Sequence, residues 1–157
     1  MRARQIGIRV AMVFGLSLAG CDDPNKVADT ASAVIGAAGG TVTTPAGASV
    51  QVPAGTVTVD TTFTVTESSS TVPAAIGKAV GPVYRFGPSG TVFQKAVTML
   101  LPFSPSAVPA GVNPAFALVV LTAPDGTTNY TSLGSAQLSD ATHAYAQTTH
   151  FSECVVA

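Results

Sequence analysis

Few residues in this chain could do chemistry, and they are widely spaced. Ser152 follows His150 by two positions in His150-Phe151-Ser152, and apart from that pair no nucleophile and base can be picked out. A hydroxyl attacks effectively only when a neighbouring base takes its proton, which is what an imidazole does near neutral pH. His143 lies seven residues before His150. Seven is odd, so an unbroken strand would point the two rings to opposite faces. With no Cys or carboxylate cluster beside either ring, no metal and no cofactor is expected. The acids Asp60, Glu67, Asp125, Asp140 and Glu153 are too scattered to name a pair for glycosidic chemistry. The sequence contains no Gly-x-Ser-x-Gly elbow, Walker loop or dinucleotide fingerprint. It has no Trp, and its three Tyr residues are dispersed, which argues against sugar binding.

The remaining reactive residues are two cysteines. Cys21 closes a front end with a basic start (Arg2, Arg4, Arg9), an apolar stretch from Val10 to Leu18 and small residues at Ala19 and Gly20. Those three regions make residues 1–20 a secretory signal, and the apolar stretch is shorter than the ~20 residues that span a bilayer as a helix. Leu18-Ala19-Gly20-Cys21 is similar to a bacterial lipobox, which implies a diacylglyceryl group on the Cys21 thiol and a new amino terminus there. Two acyl chains would hold the protein to a membrane, each buried CH₂ contributing ~0.8 kcal/mol. The expected location is therefore the bacterial cell envelope, at the inner or the outer membrane. Asp22-Asp23 resembles the pair that retains lipoproteins at the inner membrane in enteric bacteria. With Cys21 lipidated, Cys154 has no partner. It is either a buried small hydrophobe sharing a face with Ser152 and Val156, or an exposed thiol able to link two chains.

Composition narrows the partners. From Cys21 onward, Lys26, Lys78, Arg85 and Lys95 stand against eight acids, a net charge of −4. So sparse and mildly acidic a surface cannot supply clustered phosphate contacts, and nucleic acid is excluded as a partner. Only 10% of residues are charged, while Thr, Ser, Gly, Pro and small residues abound. That pattern belongs to an all-β secreted protein. One domain of this length buries roughly two-thirds of its unfolded surface and needs no disulfide to hold it.

The elements that must position these residues follow from periodicity. Residues 21–38 read as the lipidated Cys and a flexible linker, with a marginal short helix over Val27 to Ile35 as the alternative. After Gly39-Gly40 the period becomes two: Val42, Val50, Val52, Phe63 and Val65 face one way, and Thr43, Ser49, Gln51, Thr62, Thr64 and Thr66 the other. Pro-Ala-Gly recurs at Pro45, Pro53 and Pro109 as turn punctuation. Val83 to Phe86 and Val97 to Leu101 form a strand, turn and strand around Gly87-Pro88-Ser89-Gly90. The run Ser68 to Lys78 reads as an exposed loop. Phe116 to Leu121 reads as a strand buried on both sides, Pro124-Asp125-Gly126 as a hairpin turn, and three further strands carry the chain to Val156. Roughly nine or ten short strands are more than one open sheet holds, so a two-layer antiparallel β-sandwich is predicted.

Tyr84-Arg85-Phe86-Gly87-Pro88-Ser89-Gly90, then Phe93, then a Val-rich strand closed by Leu101-Pro102, resembles the signature of the zona-occludens/netrin-receptor domain. Gly39-Gly40-Thr41-Val42, Val50 to Gly55 and His150-Phe151-Ser152 extend the resemblance over residues 39–157. Ala96 stands where that family usually has Pro. The family is a β-sandwich found in ankyrins, death-domain adaptors and bacterial envelope proteins. The resemblance implies a binding or scaffold module whose partner here is another envelope protein. In death-domain adaptors and a self-cleaving nucleoporin, His-Phe-Ser is where the chain cuts itself. Carried over, Ser152 would attack the Phe151 carbonyl, His150 would take the hydroxyl proton, and water would resolve the ester.

Overall fold

The computed structural model describes residues 28–157, in which eleven strands form two antiparallel sheets packed face to face. In chain order these are β1 (Thr30–Ile35), β2 (Gly40–Thr43), β3 (Ser49–Val52), β4 (Thr61–Ser68), β5 (Val83–Gly87), β6 (Val92–Pro102), β7 (Val119–Ala123), β8 (Thr131–Ser135), β9 (Gln137–Leu138), β10 (His143–His150) and β11 (Glu153–Val156). One sheet has the order β1-β4-β5-β11-β7-β8 and the other β2-β3-β6-β10-β9. The all-β sandwich predicted from the sequence is the fold observed. A single α-turn, α1 (Pro114–Ala117), interrupts the crossing from β6 to β7.

The alternation of apolar and polar residues builds the layers. Val42, Val50, Val52, Phe63 and Val65 are all buried between the sheets, where Tyr84, Phe86, Phe93, Val97, Met99 and Leu101 join them. Fully burying a side chain of this size contributes about 1.5–3 kcal/mol, so the shared layer is the main source of stability. A smaller cluster lies on the outer face of the six-stranded sheet, where Val72 and Ala79 pack over Val83, Leu121, Ala123, Tyr130 and Val155. The run Ser68 to Lys78 is a loop with no buried residue, as expected; it contributes the half-buried Val72 to this cluster, and just beyond it the N–H of buried Val80 donates to the Val156 carbonyl at 2.9 Å.

Several sequence expectations are corrected. The stretch assigned to a flexible linker up to residue 38 contains β1, which pairs with β4 from Thr30↔Thr66 to Ile35↔Thr61. The domain therefore begins before residue 39, and the alternative helix over Val27 to Ile35 is also replaced by strand. Asp29 fixes its start: the carboxylate accepts from Tyr84 Oη at 2.9 Å and from the Ala46 N–H at 3.1 Å, and its carbonyl accepts from the Glu67 N–H at 2.7 Å. Strands β5 and β6 are not a hairpin, because the turn at Gly87 to Thr91 carries the chain from one sheet to the other. Phe116 is 86% exposed and sits in α1, so the buried strand starts only at Val119. Asn113 caps that turn by accepting the Ala115 N–H at 3.0 Å, with Pro114 in the first position, where its missing N–H costs nothing. Pro-Ala-Gly does punctuate turns: Gly47 (φ 92°) and Gly55 (φ 72°) take the left-handed conformation that closes the chain after β2 and β3. Cys21 and the signal of residues 1–20 lie outside the described residues.

Candidate functional site

The His150-Phe151-Ser152 motif is the corner where the chain leaves the five-stranded sheet and enters the six-stranded one. β10 pairs with β6 in regular register until Thr148↔Val97 and then shifts, so that His150 lies opposite Val92. Thr148 stabilises the irregularity: its hydroxyl donates to the His150 carbonyl at 3.0 Å and accepts from the His150 N–H at 3.2 Å. The same Oγ1 lies 3.3 Å from His150 Nδ1. The imidazole is exposed, and its near nitrogen is turned to Thr148.

Phe151 then drops into the core, 2% exposed. Its ring meets Phe93 edge-on at 4.8 Å between centroids, Phe63 edge-on at 5.6 Å and Phe86 at 6.0 Å. Aromatic pairs in these arrangements add about 0.5–1.5 kcal/mol each beyond area burial. The backbone is held on both sides, with the Phe151 N–H donating to the Thr91 carbonyl at 3.0 Å and the Phe86 N–H to the Ser152 carbonyl at 3.2 Å. The bond between Phe151 and Ser152 is thus clamped between two hydrogen bonds and a four-ring cluster.

Ser152 is buried, and its hydroxyl pairs with Thr122 Oγ1 on β7 in a short hydrogen bond. Cys154, one turn of the pleat further on, donates its thiol to the same Thr122 oxygen at 3.6 Å and lies 3.8 Å from Ser152 Oγ. Burial pushes the Cys154 thiol up to about 11, against the opposing pull of those hydroxyls. Of the two readings of Cys154, the structure shows the buried one, and the exposed cross-linking thiol is corrected.

On the outer face, Glu153 is fully buried beside the corner. Its Oε1 accepts from Arg85 Nη2 at 2.6 Å and from Ser68 Oγ at 2.9 Å, while Arg85 Nε reaches Asp125 Oδ2 at 3.3 Å. Burial disfavours the Glu153 carboxylate, but the hydrogen bonds from Arg85 and the Ser68–Ser70 pair outweigh it and hold the group below its ordinary range.

Around this corner opens a cleft of about 550 Å³, lined by the turn residues Ser89 and Gly90 with Val92, by Thr122 to Asp125, Asn129 and Thr131, and by His150, Phe151 and Ser152. Val92 is 78% exposed at its lip. The volume falls within the range of ligand clefts, and its walls mix apolar surface with seven polar side chains. The structure therefore brings His150, Phe151 and Ser152 to one cleft together with Asp125, but it couples the serine to Thr122 and the histidine to Thr148, not to each other. Sequence reasoning missed Thr122, Val92 and Arg85. Thr122 lies thirty residues from Ser152, and no local pattern announces the pairing.

His143 is at the other end of β10, about 23 Å from His150 by strand rise, with Nδ1 3.0 Å from Asp140 Oδ2. Asp140 is held down at about 2, first by the Thr142 backbone N–H and then by His143. Among the described residues no group of three or more His, Cys, Asp or Glu comes together.

The family model for the ZU5 domain matches residues 31–122, more than half of the chain. The chain belongs to the ZU5 domain family. ZU5 domains are protein-interaction modules. The ZU5 match runs from β1 to β7, so it includes the strand first assigned to the linker and ends before the corner at 150–152. Among curated proteins none matches the sequence.

Proposed function

We propose that this ZU5 protein is a lipid-anchored binding module of the bacterial cell envelope, tethered through Cys21 and engaging another envelope protein without conventional catalysis. The observation that carries the reading is the cleft at the β10–β11 corner: a concave surface in a domain of an interaction family, where Ser152 is hydrogen-bonded to Thr122 and His150 is turned to Thr148 instead of to each other. Placing a photo-crosslinking amino acid at Val92 and, as control, at Thr62 on the outer face of β4 tests it in the source cells. One discrete protein adduct at Val92 and none at Thr62 supports binding at the cleft, and equal or absent labelling overturns it. For the tether, Cys21→Ser is expected to move the protein from the membrane pellet to the soluble fraction; an unchanged pellet would sink the anchor.

A second reading is self-processing at Phe151-Ser152. What favours it is that His150, Phe151 and Ser152 all border the same cleft, where water could resolve an ester. Ser152 would have to exchange Thr122 for the imidazole before attacking the Phe151 carbonyl, with His150 as base. Denaturing intact mass of the protein beside Ser152→Ala decides it. Loss of Ser152 to Ala157 from the first alone establishes the cut; identical uncut masses remove it.

A further inference from the structure

The register of the six-stranded sheet fixes which loops share an end of the sandwich with the start of β1. Thr30 lies opposite Thr66, Ser68 opposite Val83, Cys154 opposite Tyr84, and Val156 opposite Val120. Asp29, the loop that follows Ser68, the terminal Ala157 and α1, which leads into β7, therefore lie at one end. β1 and β7 are four strand spacings apart there, about 19 Å. The cleft is at the other end, because β10 runs from His143, opposite Pro102, to His150, opposite Val92.

The connection from β6 to β7 crosses the end that holds Asp29. Its fifteen residues from Ser104 to Leu118 carry no charge, and from Pro109 to Ala117 all but Pro114 are exposed. Its polar side chains are engaged within the loop: Ser104 and Ser106 share a hydrogen bond at 2.8 Å, and Asn113 caps α1. Phe116 is the most exposed large apolar side chain among the described residues, and exposed Val112 precedes it by one turn. The loop after β4 meets this one, with the Ser104 N–H donating to the Val80 carbonyl at 2.8 Å, and adds exposed Ile76 and Lys78. Single exposed apolar residues are ordinary; three of them on an uncharged, outward-held surface are not. The far end also exposes Val59 and Val92, but Asp60 follows the first and Asp125 and His150 share the cleft with the second.

The place of the tether names the occupant. Asp29 is eight residues after Cys21, a reach of at most about 29 Å. A lipid on Cys21 would thus draw toward the bilayer the same end that presents Phe116. Resting on the reading of Cys21 as a lipid anchor, we propose that the β6–β7 loop is a membrane seat, in which Phe116, Val112 and Ile76 enter the interfacial layer of the bilayer that holds the tether. Apolar side chains on an uncharged loop can enter that layer without burying a charge, and Lys78 can lay its stem along it while its ammonium stays among the headgroups. Asp140, in the turn before β10 at the same end, is bonded to Thr142 and His143 and marks the side that stays in water. Seated this way, the domain holds its cleft beyond the length of β10, roughly 23 Å, and turned away from the lipid.

The protein has no Trp, so Phe116→Trp and Val59→Trp each install a single fluorescent reporter at an exposed position, one at either end. The lipidated full chain carrying each substitution is reconstituted into phosphatidylcholine vesicles, with and without phosphatidylcholine brominated near the glycerol end of its acyl chains. Flotation of the vesicles reports the anchor and bromine quenching reports the seat. The expected result is that the protein floats, that brominated lipid quenches the Phe116→Trp emission at least twofold, and that it leaves the Val59→Trp emission unchanged. In the unsubstituted protein, amide exchange over residues 109–117 slows at least threefold on vesicles relative to the Cys21→Ser form in buffer. A floating protein whose two reporters are equally quenched, or both unquenched, or whose loop exchange is unchanged, overturns the seat and leaves the anchor standing. A protein that does not float removes the anchor and the seat with it. A blue shift of the Phe116→Trp emission that grows with protein concentration in the Cys21→Ser form, without vesicles, would assign the surface to a second copy of the chain and overturn the proposal.

Discussion

Arg85→Ala gives the most exacting test of how this corner is held. Glu153 is fully buried while the Arg85 side chain is 48% exposed, and the two meet at 2.6 Å. Removing one partner of a fully buried pair costs about 3–5 kcal/mol, because the other charge is left without compensation. Half of Arg85 is already in water, which screens part of the lost attraction, so the low end, about 3 kcal/mol at pH 7, is expected. That is a large share of the roughly 5–15 kcal/mol by which domains are stable. The pH dependence carries the stronger prediction. In the native protein Glu153 is held below its ordinary range, so its contribution is complete above the unfolded carboxyl value and fades as pH falls through the folded one. Without Arg85, burial acts with much less opposition and raises the carboxyl instead, so protonation relieves the variant as pH falls. The deficit therefore narrows from pH 7 to pH 4. Urea unfolding at both pH values measures it, and Glu153→Gln in the Arg85→Ala background should recover part of the loss. A deficit under about 1 kcal/mol at pH 7, or one that is constant with pH, would refute the assignment of Arg85 as the counter-charge.

Further outcomes follow from the same geometry. Asp29→Ala removes the acceptor for Tyr84 and Ala46 and should cost about 1–3 kcal/mol in urea unfolding; no loss would mean that the start of β1 is not held as described. Cys154, buried and pushed up to about 11, should react with an aromatic disulfide at pH 8 at least ~100-fold more slowly in the folded than in the urea-unfolded chain, and equal rates would place the thiol outside the core. Phe151→Ala should cost about 3–5 kcal/mol, whereas Phe116→Ser, at an exposed position, should stay within about 0.5 kcal/mol; similar effects would contradict the burial of one or the exposure of the other.

Much of the fold was legible because a period of two states which face of a strand is apolar. Val42, Val50, Val52, Phe63 and Val65 could be assigned to the core for that reason. The same period says nothing about which sheet a strand joins, and so the strand, turn and strand of β5 and β6 could be read without showing that the two belong to opposite layers. β1 was missed because Thr30-Ala-Ser-Ala-Val-Ile35 is rich in small residues of weak strand preference; its pairing with β4 and the Asp29 contacts, far away in sequence, decide its state. Phe116 was misplaced although a local signal existed, since Asn113-Pro114 is a helix start and was overridden by the apolar run that follows. Of the site, the motif at 150–152 was visible, but the partners that set its chemistry, Thr122 and Arg85, come from strands thirty and sixty-eight positions away.

That long-range pairing also governs what a cut at the corner would do. β11 lies inside its sheet, between β5 and β7, and all four of its residues are buried. It pairs with β7 from Glu153↔Ala123 to Val156↔Val120 and with β5 at Glu153 and Cys154, while Ala157 exchanges backbone hydrogen bonds with Val119 at 3.0 Å in both directions. Breaking the Phe151-Ser152 bond would leave every one of these contacts in place. The segment from Ser152 to Ala157 would stay as a strand of the folded domain, and neither native size nor the Arg85–Glu153 pair would register its release. Only a measurement that unfolds the protein first separates an intact corner from a severed one, and a cut protein would show it as two masses that elute together until denatured.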